Sequence, residues 1–133
     1  MSSKSVLYST LVLAIVTATM YFMGMSLYLF WVYWWYDVLM HFLVPLTGGF
    51  GIYWGLFHSG LIFRQRFESR ALTIIFVFVC VMVIGVGWEV YEYAFDITDS
   101  HEGYMADTVN DLLLDSSGAL LAVVLASKKK NHG

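Results

Sequence analysis

Residues 71–88 read ALTIIFVFVCVMVIGVGW, a run without a charged side chain that begins just after Arg70 and ends just before Glu89. A helix rises about 1.5 Å per residue and the hydrocarbon core of a bilayer is about 30 Å thick, so about 20 apolar residues cross it. Continued to Ala94, this run is long enough to cross as a helix. Three more stretches meet the same test, at about residues 6–25, 37–63 and 105–127. Of the 133 residues, 59% are hydrophobic and 13% charged, whereas soluble domains average about 25% charged. The mean hydropathy is +0.71. The expected fold is all-α: an integral membrane bundle of four transmembrane helices, forming a single multi-pass domain over residues 1–133.

Lys4 and the apolar run after it look like a signal peptide. That run outlasts the roughly 7–15 apolar residues of a signal sequence, and no small-x-small cleavage site precedes a polar start. It is read as a retained helix. Between the first two helices lies Leu27-Tyr28-Leu29-Phe30-Trp31-Val32-Tyr33-Trp34-Trp35-Tyr36. Trp and Tyr concentrate at headgroup level, so this reads as an interfacial aromatic segment. Cys80 lies inside an apolar run and, as the single cysteine, builds neither an internal disulfide nor a thiolate metal site.

With four crossings, all 7 Lys and Arg (Lys4, Arg64, Arg66, Arg70, Lys128, Lys129, Lys130) fall on one side. Cytoplasmic loops carry the excess of Lys and Arg. The expected location is therefore the cell membrane, with both termini cytoplasmic. Of the 10 acidic residues, all but Glu68 fall in the outer half or the outer loop. Membrane lipids are the expected surroundings, and no nucleic-acid partner is expected.

Spacing sorts the acidic residues into layers. Asp37 and His41 share one face of the second helix, as do Glu89 and Glu92 on the third. Asp107, Asp111 and Asp115 step down the fourth. At about 1.5 Å per residue, an upper layer holds Asp37, Glu92 and Asp107, and a lower layer holds His41, Glu89 and Asp111. Asp115 sits one turn deeper and could pair locally with Asn110, Ser116 or Ser117. Gly48, Gly55, Gly85, Gly118 and Ala122 continue the stripes and let membrane helices approach closely. Pro45 cannot donate to the carbonyl of His41, which leaves an acceptor beside the site. His101, in the outer loop, could fold over it.

So many carboxylates cannot all be ionised side by side in a medium of low dielectric constant. Either a metal neutralises them or some retain protons and titrate as a coupled set. Oxygen ligands with one imidazole suit a hard or borderline divalent metal ion. His41, Glu89, Asp111, Asp37 and Asp115 are the candidate ligands, and Glu92 or Asp107 is the candidate general base of a metal-dependent hydrolase acting on a lipid or cell-envelope headgroup. Two other classes use the same residue types. One is a proton or cation transport component, for which four short helices would form a homo-oligomer. The other is a structural or accessory protein whose polar core fixes helix packing.

Three motifs in order carry a resemblance: Tyr36-Asp37-Val38-Leu39-Met40-His41-Phe42, then Trp88-Glu89-Val90-Tyr91-Glu92-Tyr93, then Asp107-Thr108-Val109-Asn110-Asp111-Leu112-Leu113-Leu114-Asp115-Ser116-Ser117-Gly118-Ala119. In these the chain resembles the YjdF-type small bacterial membrane proteins and, more distantly, the VanZ-like family linked to teicoplanin resistance. The resemblance spans about residues 36–122. It implies a small multi-pass membrane protein and draws attention to the same acidic and histidine positions.

Overall fold

The computed structural model describes residues 1–63, 65–95 and 103–128. Five helices follow one another: α1 (Ser3–Ser26), α2 (Leu29–Val32), α3 (Trp34–Phe57), α4 (Arg70–Phe95) and α5 (Tyr104–Ala126). All but α2 are long and apolar enough to cross a membrane. Their outward faces carry large apolar side chains such as Ile15, Phe22, Ile75, Val83, Ile84 and Leu113, each more than half exposed. Such a surface suits hydrocarbon, where a helix is tolerated because it pairs its own backbone groups.

The aromatic segment between the first two long helices is not one piece. Tyr28 takes a left-handed backbone (φ 57°) and ends α1, the short α2 follows, and α3 begins at Trp34. Gly24 makes room for this reversal, because a Cβ there would stand 2.5 Å from the Phe30 ring and 2.7 Å from Tyr36. The Tyr36 hydroxyl then donates to Met20 O at 2.6 Å and ties α3 back to α1.

The second long helix, expected over 37–63, runs from Trp34 to Phe57. Its end is set by Ser59-Gly60. Gly60 has φ 75°, and the Ser59 hydroxyl donates to Gly55 O while accepting from Leu61 N. The apolar residues beyond fold back instead of extending the helix, so Phe63 stacks on Phe57 at 5.7 Å and Phe67 meets both rings.

The central helix is α3. It packs most extensively on α5, then on α1 and α4, and α4 also packs on α5. On α3 the residues 41, 45, 49, 53 and 57 are all buried, and on α5 so are 111, 115, 119 and 123. These are i, i+4 rows, the ridges by which helices most commonly interlock. The two helices run parallel, with Gly49 against Ala122 and Gly118 against the backbone of Phe42 and Leu46. Gly48 and Gly55, expected in this seam, have nothing within 4 Å of a built Cβ. The seam follows the four-residue row from His41, which leads to Gly49, whereas Gly48 lies seven residues on and off that row. α1 meets α3 along a different edge, through a Thr17–Thr47 hydroxyl pair at 2.9 Å.

The end of the bundle with the chain start gathers the described basic residues. Arg70 donates through Nε to Ser127 Oγ and through Nη2 to Val124 O, each at 3.2 Å, so a cation serves the carbonyl end of α5. The Met1 amino group donates to Ala126 O and Lys128 O.

Candidate functional site

At the opposite end, three helices bring their ionisable side chains together. Asp37 lies in the first turn of α3, and His41 one turn later faces α4 and α5. Glu89 and Glu92 lie near the end of α4, and Asp107, Asp111 and Asp115 descend α5. Because α4 runs against α3 and α5, its last turns and their first turns share one depth. His41, Glu89, Asp111 and Asp115 are buried, and Asp37, Glu92 and Asp107 are partly exposed.

His41 is the centre. Its Nδ1 hydrogen-bonds Asp115 Oδ1 at 3.2 Å. Its Nε2 lies 3.7 Å from Asp111 Oδ2 and 3.8 Å from Asp37 Oδ1. Asp115 therefore belongs to the imidazole and not to a separate deeper layer. The local partners expected for it are engaged elsewhere, since Ser116 donates to Leu112 O and Ser117 to Leu114 O. Gly85 explains how Asp115 reaches His41: a Cβ there would stand 2.5 Å from Asp115 Oδ2.

Two sets of side chains each bring three potential ligand atoms within 4.8 Å of one another: Asp37, His41 and Asp111, and His41, Glu89 and Glu92. Ligands about 2.0–2.6 Å from a shared ion stand at most about 4–5 Å apart, so either set matches that size. Asp107 and Asp115 are in neither set. Glu89 is only 4% exposed, and its Oε1 is buried without a hydrogen-bond partner. Thr108 Oγ1, on the facing helix, is also buried without one at hydrogen-bond distance, although it stands close enough to interact with the Glu89 carboxylate. Thr108 sits three residues before Asp111 but carries no charge, so the spacing of ionisable residues does not mark it. Tyr104, likewise unmarked, donates to Glu89 O at 3.3 Å and fixes the start of α5 against α4. Asp107 stands in the first turn of α5, where a carboxylate complements the helix dipole, and Gly103 is the cap. His101 lies outside the described residues.

Beneath the site the interior turns apolar, with Val77, Val81, Ala119, Ala122 and Val123 forming one cluster with Phe50 and Tyr53. No curated protein and no solved structure matches the chain. A family model described as a predicted membrane protein (DUF2238) matches residues 3–132. With the three motifs and the four apolar helices all inside that match, the chain belongs to this family, the YjdF-type membrane proteins.

Proposed function

We propose that this membrane protein binds a divalent metal ion among His41, Asp37, Asp111, Glu89 and Glu92, in a pocket at the outer face of the cell membrane. The observation that carries the reading is Glu89 Oε1. A buried carboxylate oxygen with no hydrogen bond is costly, and the Glu89 carboxylate belongs to the same ligand set as His41 and Glu92. A divalent ion supplies the missing partner and offsets the repulsion among the carboxylates. Asp115 is then an orienting residue: it holds the imidazole through Nδ1 and leaves Nε2 for the metal, as carboxylates do behind metal-bound histidines.

The chemistry that follows is hydrolysis at a lipid or cell-envelope headgroup. A metal held by these residues would supply Lewis acidity toward a phosphoryl or acyl oxygen. Asp107, partly exposed at the mouth and outside both ligand sets, would take the proton of the attacking water, and Glu92 would do so only where Asp37, His41 and Asp111 hold the ion. Transport is less favoured, because among the described residues the cluster under Asp115 is apolar apart from the Tyr53 hydroxyl. The outward orientation rests on the gathering of basic residues at the other end.

Metal analysis of purified protein tests the reading. Wild type is expected to hold close to one equivalent of a divalent metal, and Glu89→Ala and Asp111→Ala much less. Equal, negligible metal in all three proteins, each shown to be folded, would overturn it.

A further inference from the structure

A second cluster of unpartnered polar atoms lies at the basic end, remote from His41. The Tyr53 hydroxyl, Trp54 Nε1 and His58 Nε2 are all buried without a hydrogen-bond partner. Tyr53 is wholly buried, at 0% exposure. The Arg66 guanidinium sits over its ring, 5.5 Å from the centroid. Arg66 and Arg70 also line one small cleft of about 60 Å³, together with Phe67, Glu68, Thr73 and Ser127.

Two guanidinium groups share this corner, and no carboxylate lies within 4 Å of either among the described residues. Each has donors to spare. Arg66 uses Nη2 on Met1 O, and Arg70 uses Nε and Nη2 on α5, while a guanidinium carries five N–H groups. Burial first, and then Arg66, hold the His58 imidazole below its ordinary value, so the ring is neutral and keeps an acceptor nitrogen beside its donor. The corner is rich in donors, and Glu68 is the one carboxylate in the cleft lining among the described residues.

We infer that this corner binds a phosphate group, Arg66 and Arg70 holding its oxygens, with the unpartnered Tyr53 hydroxyl behind Arg66 as a further donor. Phosphate suits paired guanidinium groups because they present parallel N–H donors to its oxygens. Basic pockets between membrane helices hold lipid headgroups in the same way. The phosphate belongs either to an anionic lipid of that leaflet or to a free anion.

Native mass spectrometry of the detergent-purified full chain tests this, with phosphatidic acid, phosphatidylcholine of the same chains, and inorganic phosphate as probes. Phosphatidic acid is expected to be retained about tenfold better than phosphatidylcholine, and Arg66→Gln to lower that retention about tenfold. Tyr53→Phe removes a hydroxyl that has no partner in the protein, so melting temperature should hold or rise while retention falls. Competition by inorganic phosphate would show that the phosphate group alone is read. Lack of competition, with phosphatidic acid still preferred, would place the ligand in the lipid. Equal retention of both lipids, or retention of phosphatidic acid unchanged in Arg66→Gln and Tyr53→Phe, would overturn the inference. If Arg66→Gln does not fold, Tyr53→Phe decides.

Discussion

His41 presents two nitrogens to three carboxylates, and the division of labour between them is what the residue-scale tests address. Asp115→Ala leaves Nδ1 buried without a partner, a loss expected to cost about 1–3 kcal/mol of stability, measured by unfolding in mixed micelles. Asp115→Asn, which can still accept from Nδ1, should recover much of that. Gly85→Ala tests the same contact from α4. Its Cβ would stand 2.5 Å from Asp115 Oδ2, so Asp115 must move and metal content should fall. Gly87→Ala, with open space around it, should leave metal content unchanged and serves as the control. Depth was legible in the sequence at this scale, because rise per residue is fixed. Pairing was not. Asp115 looked one turn too deep for the imidazole, and only the absent side chain at Gly85, on a third helix, opens the path between them.

At the scale of the element, four long helices were readable from apolar runs alone, because nothing but a helix satisfies its own backbone inside a bilayer. Their ends were less so. Leu61, Ile62 and Phe63 look like a continuation of α3, yet Ser59-Gly60 turns the chain and the aromatic rings hold it down. The α3–α5 seam carries the sharpest mutational contrast. Gly118→Ala drives a Cβ into the backbone of Phe42 and Leu46 and is expected to cost about 1–3 kcal/mol. Gly48→Ala, which looked equivalent in the sequence, meets nothing and should stay within about 0.5 kcal/mol of wild type. Equal losses in the two would contradict the four-residue seam. Which small residue faces a neighbour depends on helix rotation, and spacing within one helix does not report it.

For the whole molecule, the segregation of charge predicts orientation. In a Cys80→Ala background, Met105→Cys lies near the acidic end and Leu61→Cys near the basic end, and both positions are well exposed. A membrane-impermeant thiol reagent should label the first in intact cells and the second only after lysis. The reverse pattern would turn the site inward and remove the proposed access to an envelope headgroup.

The partnership of α3 with α5 also bears on biogenesis. α1 and α3 leave the ribosome in succession and can settle against each other at once, through Tyr36 with Met20 and Thr17 with Thr47. His41 must wait for Asp111 and Asp115, which arrive on the last helix to be synthesised. Until then the imidazole has only Asp37 of its own helix, and later Glu89 and Glu92 of α4, in place of its partners on α5. A chain halted before α5 is thus marked by stranded polar groups within the membrane, a feature on which proteolytic surveillance can act.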